Sequence, residues 1–174
     1  DLHLSALEKV VARIREGQGE EPFRASVPRL RGTVVDFPFP SVGATENAIF
    51  AAVAASGKTV LNGCAKEPEI VELCRFMNNM GASVRGVGGD VLVIEGGLPL
   101  HDSVFTVGGD RIAGGTYLLA AAGAGGEILL TGTGSQGLKT VTSVLKQLGA
   151  AVFEEEELIY IQAAGRLSAA SIKT

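Results

Sequence analysis

Three short stretches hold the residues whose types and spacing could do chemistry. Pro40-Ser41-Val42-Gly43 runs into an apolar helical segment, which sets a hydroxyl and unpaired backbone N–H groups at a helix N-terminus. An anion or the polar edge of a ligand is welcome there. The same residues also suit plain capping, by Ser41 or Thr45. Glu67 and Glu69 flank Pro68 at the start of a second helix, where carboxylates either face a ligand or simply complement the helix dipole. Asp110-Arg111 follows Gly108-Gly109 and opens a third helix. Asp110 fits an N-cap, and the two glycines fit a hinge.

The common catalytic signatures are missing. The 174 residues contain no P-loop, no Gly-x-Ser-x-Gly elbow, no His-Glu-x-x-His and no Cys-x-x-Cys. "GVGGD" and "GAGGE" are rich in glycine, but neither follows a strand and opens a helix as a dinucleotide loop does. Cys64 and Cys74 stand in no metal or redox spacing and read as small, reduced, buried side chains. His3 and His101 are isolated and read as surface or hydrogen-bonded histidines, and Glu154 to Glu157 reads as a solvated hairpin. A net charge of −4 leaves no basic footprint for nucleic acid. No apolar run reaches the ~20 residues of a membrane span, and no signal peptide opens the chain, so a cytoplasmic location is expected. The start at Asp1 and the stop at Thr174 suggest a fragment of something longer.

The elements that must position these residues repeat along the chain. A small-residue helix over 44–56, ended by Gly57, leads into the strand "KTVLNG". "KEPEIVELCRFMNNMGA" is an amphipathic helix with Pro68 at its first position and Gly81 past its end. "ASVRGVGGDVLVIEGG" reads as a hairpin around Gly88-Gly89. The same order returns as "DRIAGGTYLLAAAGAGG", "EILLTG", "QGLKTVTSVLKQLGA" and "AVFEEEELIYI", with Gly149 placed 68 residues after Gly81. A partial copy opens the chain, where "LSALEKVVARI" predicts a helix and "FRASV" a strand. In each full copy the first helix is apolar nearly all round, which predicts burial on every side, and the second is peripheral. The expected fold class is therefore α/β, built of inside-out repeats with buried helices and outer sheets.

On "FPSVGATENA", "AKEPEIVELCRFMNNMGA", "DRIAGGTYLLAAA" and the opening "DLHLSALE", the chain resembles the UDP-N-acetylglucosamine 1-carboxyvinyltransferases of the enolpyruvyl transferase family. The resemblance covers essentially the whole chain, as the middle of a longer protein. It implies two lobes of three repeats each, with helices inside and substrates bound between the lobes. Residues 1–107 would be the end of one repeat plus one complete repeat of the first lobe, and 108–174 the first repeat of the second.

The reaction implied is transfer of enolpyruvyl from phosphoenolpyruvate to the 3′-hydroxyl of UDP-N-acetylglucosamine, by addition and elimination, without metal or cofactor. That is the first committed step of peptidoglycan synthesis. Carried over by position, Asp1, Leu2, Pro40, Ser41, Val42 and Gly43 look like substrate-binding residues for the uridine diphosphate. Glu67, Glu69, Asp110 and Arg111 look like residues of the active-site region. Phe39 stands where the family often has a basic residue. The catalytic loop, the Lys-Asn pair, the arginines for phosphoenolpyruvate and the aspartate that deprotonates the sugar are expected outside this stretch. No catalytic residue is assigned within it, and the isolated chain is expected to be inactive. The implied partners are the two small substrates and the remaining parts of the two lobes, with neither nucleic acid nor membrane. The alternatives are a relative acting on shikimate 3-phosphate, or a noncatalytic nucleotide-sugar-binding or scaffold protein.

Overall fold

The computed structural model describes residues 2–10, 13–15, 24–26 and 29–172. The chain divides into two compact units, Asp1–Phe105 and Thr106–Thr174.

The first unit opens with α1 (Leu2–Lys9), followed by β1 (Arg13–Arg15) and β2 (Arg24–Ser26), which pair antiparallel as a separate ribbon. The helix expected over residues 4 to 14 therefore ends early. Lys9 lies in its last turn, where a cation suits the dipole, and Arg13–Arg15 is drawn into strand pairing. Then come β3 (Val34–Asp36), α2 (Val42–Ala54), β4 (Gly57–Asn62), α3 (Pro68–Asn79), β5 (Ser83–Arg85) and β6 (Val91–Gly96). The strands form one sheet in the order β3-β4-β6-β5, with β3 parallel to β4 and the other pairs antiparallel.

Strand alternation gives this sheet one apolar face. Leu61 pairs with Leu92, and Ile94 with both Thr59 and Val84, and all five side chains are buried. Their neighbours Lys58, Arg85 and Glu95 stay on the outer face, where Arg85 and Glu95 form an ion pair at 3.2 Å. The helices cover the inner face. Ala44, Ala48, Ile49 and Ala52 of α2 and Ile70, Cys74 and Met77 of α3 join the sheet in one core. Full burial of Ile49 or Leu61 contributes ~1.5–3 kcal/mol each.

The second unit repeats the order with α4 (Arg111–Ala124), β7 (Glu127–Thr131), a 3-10 turn (Ser135–Leu138), α5 (Lys139–Gln147), β8 (Ala151–Glu154) and β9 (Leu158–Gln162). Its antiparallel sheet runs β7-β9-β8, the order of β4-β6-β5 in the first unit. Helix ends repeat as well. Gly81 (φ 98) and Gly149 (φ 97) follow α3 and α5 in the left-handed region that side chains avoid. The segment after β7 differs in detail, because the first three residues of the expected helix, Gln136 to Leu138, are wound with Ser135 as the tighter 3-10 turn before α5 begins.

Two expectations for the small-residue helices need correction. Gly57 does not end α2. The helix stops at Ala54, with Ala55 extended at ψ 151, and Gly57 already belongs to β4. Nor are these helices buried on every side. α2 exposes Phe50 at 49%, and α4 exposes Ile112 at 63%, Tyr117 at 65% and Leu119 at 51%. The buried residues of α4 are Gly114, Gly115, Leu118, Ala121 and Ala122, on the side that faces the one sheet in the described part of its unit.

Candidate functional site

The Ser41-Val42-Gly43 turn is built by local capping. Ser41 is extended (φ −137, ψ 122), and its Oγ accepts the N–H of Ala44 at 3.4 Å, while its carbonyl accepts the N–H of Thr45. Ser41 rather than Thr45 is thus the cap. Thr45 is fully buried, and its Oγ1 accepts the N–H of Ala65 at 3.2 Å. That bond ties the first turn of α2 to the loop that enters α3. Neither Thr45's role nor its partner carries a sequence signature, since the two residues lie 20 positions apart.

A second tie comes from the start of the chain. The His3 ring reaches α2, with Nδ1 2.7 Å from Asn47 Nδ2. A Cβ built on Gly43 would lie 2.9 Å from His3 Cε1, so the imidazole closes on the turn and a side chain at position 43 would have to displace the ring. Leu2 and Val42 both pack against the first unit's core, which brings the opening of α1 to the same end of α2 as the turn. Asp1 lies outside the described residues. Pro40 and Phe39 lead into the turn, and Phe39 is exposed.

Glu67 occupies the N-cap position of α3 without a side-chain cap bond. Its carboxylate accepts the N–H of Lys66 at 2.8 Å instead. Glu69 stands in the first turn, and Pro68 is the first helical residue. Lys66 in turn pairs with Asp90, so the acidic pair sits beside an exposed ion pair. The Thr45–Ala65 bond brings this segment and the Ser41 turn together within one unit.

Asp110 and Arg111 belong to the second unit. Asp110 Oδ1 accepts the N–H groups of Ile112 at 2.8 Å and Ala113 at 3.0 Å, an N-cap with two bonds. The stem of Arg111 lies over the 3-10 turn, 3.5 Å from where a Cβ on Gly137 would stand. The hinge reading of Gly108-Gly109 needs revision at Gly109. A Cβ there would overlap the carbonyl oxygen of Gly132, so close main-chain packing requires the glycine.

The remaining residues singled out in the sequence have structural roles. His101 Nδ1 lies 3.0 Å from the Asp102 carbonyl, and the His101 N–H bonds to Met80 at the end of α3. Both cysteines are buried free thiols, each pushed up to about 11 by burial. Among the described residues no three His, Cys, Asp or Glu side chains cluster as a metal site, and no helix is long and apolar enough to cross a membrane.

The family model for EPSP synthase (3-phosphoshikimate 1-carboxyvinyltransferase) matches residues 1–174. The chain belongs to the EPSP synthase family. Within that family it is 46% identical over 174 residues to a UDP-N-acetylglucosamine 1-carboxyvinyltransferase of Zymomonas mobilis, covering 100% of this chain and 41% of that protein. It is also 46% identical over 175 residues to UDP-N-acetylglucosamine 1-carboxyvinyltransferase 1 of Symbiobacterium thermophilum, covering 100% of this chain and 39% of that one. The chain thus spans about two fifths of the length of these relatives.

The fold agrees with solved family structures. The enolpyruvyl transferase NikO from Streptomyces tendae superposes with a TM-score of 0.80 at 20% identity, over 93% of this chain and 41% of that one. EPSP synthase from Acinetobacter baumannii gives 0.65 at 24% identity, over 95% and 39%.

Proposed function

We propose that this chain is part of an enolpyruvyl transferase that moves enolpyruvyl from phosphoenolpyruvate to the 3′-hydroxyl of UDP-N-acetylglucosamine, the first committed step of peptidoglycan synthesis, in the cytoplasm. The observation that carries the proposal is 46% identity across the whole chain to proteins named for that reaction. The alternative shikimate 3-phosphate enzyme is matched by structure at 24%. In this reading residues 1–107 belong to the first lobe and 108–174 open the second. The apolar outward faces of α2 and α4, with Phe50, Ile112, Tyr117 and Leu119, are covered by the remaining parts of those lobes.

Asp1, Leu2, Pro40, Ser41, Val42 and Gly43 hold the uridine diphosphate. The support is physical. The first-turn N–H groups of α2 and the positive end of its dipole suit a diphosphate, while Phe39, in place of a basic residue, supplies no ionic contact to it. Glu67, Glu69, Asp110 and Arg111 belong to the active-site region. In the reaction the sugar oxygen gives up its hydroxyl proton and adds to the central carbon of phosphoenolpyruvate while a proton is delivered to the methylene. Loss of a proton from the new methyl group then restores the double bond and expels phosphate. This chain contributes binding, and the proton carriers lie in other segments.

The deciding experiment uses the longer polypeptide that carries this chain between its own flanking sequences. With phosphoenolpyruvate and UDP-N-acetylglucosamine it should release phosphate and form enolpyruvyl product, in EDTA as well as without it. Turnover with shikimate 3-phosphate instead, or no turnover at all, would overturn the proposal. By calorimetry the isolated chain should bind UDP-N-acetylglucosamine weakly or not at all, and micromolar binding would contradict that part of the reading.

A further inference from the structure

We propose that His3 is a positioning residue that locks the Ser41-Val42-Gly43 turn in register with the Leu2 segment. The inference rests on the reading that both segments hold the nucleotide sugar. Those two segments are far apart in sequence, and a ligand touching both needs them fixed to a fraction of an ångström. His3 makes that connection with the two ends of one ring. Its Nδ1 is held by Asn47 at 2.7 Å, and its Cε1 edge closes on Gly43, where a Cβ would lie at 2.9 Å. Gly43 and Asn47 are four residues apart and so share one face of α2, and the imidazole spans that turn from outside.

Because position 43 lacks a side chain, the ring can sit against the backbone of the first turn rather than one side-chain length away. Leu2, immediately before His3, packs on the same core as Val42. A shift of the ring would therefore move Leu2 and the turn relative to each other, while the bond from Thr45 to Ala65 would still hold the far side of the helix start. The Asn47 amide and Nδ1 share this hydrogen bond, and the Cε1–Nε2 side of the ring faces Gly43.

The test has two arms. In the longer polypeptide, His3→Ala should raise KM for UDP-N-acetylglucosamine about fivefold or more, with kcat and KM for phosphoenolpyruvate changed less than about twofold. His3→Asn, whose Oδ1 can replace Nδ1 toward Asn47, should recover part of that loss. Equal effects on both substrates, or no recovery by His3→Asn, would overturn the assignment. The second arm needs no ligand. In this chain Gly43→Ala should lower the thermal midpoint, and adding His3→Asn, which removes the Cε1 edge, should reverse that loss. Additive effects of the two substitutions would refute the lock. If the longer polypeptide binds no UDP-N-acetylglucosamine, the functional reading fails, while the second arm still decides whether His3 holds the turn.

Discussion

Thr45 and Ala65 are joined by a buried hydrogen bond, Oγ1 accepting the main-chain N–H at 3.2 Å, that fastens α2 to the approach of α3. Thr59, on β4, is equally buried, yet its hydroxyl has no hydrogen-bond partner among the described residues. The two threonines should therefore respond oppositely to the same isosteric change. Thr45→Val orphans the Ala65 N–H and should destabilise the first unit by ~1–3 kcal/mol, whereas Thr59→Val removes an unsatisfied hydroxyl and should be neutral or stabilising by up to ~1 kcal/mol. Urea denaturation of the two variants checks this, and changes of the same sign would refute it.

The two helix caps differ in quality. Asp110 accepts two bonds at 2.8 and 3.0 Å, Ser41 one at 3.4 Å. Asp110→Ala should cost ~1–2 kcal/mol and Ser41→Ala ~0.5 kcal/mol, within the usual range for lost N-caps. Circular dichroism during denaturant titration reads both. A larger loss at Ser41 than at Asp110 would contradict this ranking.

Gly109 and Gly123 should also separate. A Cβ at Gly109 runs into the Gly132 main chain, which cannot move as a flexible side chain does, so Gly109→Ala should lower the thermal midpoint markedly. Gly123 is helical and exposed, with nothing among the described residues within 4 Å of the new atom, so Gly123→Ala should stabilise α4 by ~0.5–1 kcal/mol. Differential scanning calorimetry of both would decide it, and a stabilising Gly109→Ala would refute the close-packing account.

Cys64 and Cys74 make stability depend on alkaline pH. Both thiols are pushed by burial from the usual 9.0 to about 11. Below pH 9 they are protonated in folded and unfolded chains alike, and their effect on stability does not vary. Between pH 9 and 11 the unfolded chain loses its thiol protons while the folded chain keeps them, so stability falls by on the order of 2 kcal/mol per thiol. Cys74→Ala should show a shallower decline over that window than the parent chain. Identical slopes in urea titrations from pH 8 to 11 would refute the linkage.

Much of this fold is written in local chemistry. Pro68 opens α3, Gly81 and Gly149 close α3 and α5, and strand alternation assigns Leu61, Leu92 and Ile94 to one face. Each signal needs only a residue and its near neighbours, because φ preferences and side-chain periodicity act within a few positions. The repeat emerges from the same signals read twice, and so does the position of the Ser41 turn at a helix start.

What the tertiary structure alone decided has long-range partners and no periodic signature. Nothing near Thr45 indicates Ala65, and nothing near His3 indicates Gly43 or Asn47. The outward apolar face of α4 was hidden for a related reason. An all-apolar helix states that it can be covered on every side, but which side is covered depends on how many sheets and helices fold around it. Sequence by itself determined the kinds and order of the elements, and their ends where a proline or glycine marks them, as at Pro68, Gly81 and Gly149. The contacts that turn one helix start into a candidate binding turn, held by His3 on one side and Ala65 on the other, exist only once the chain has folded.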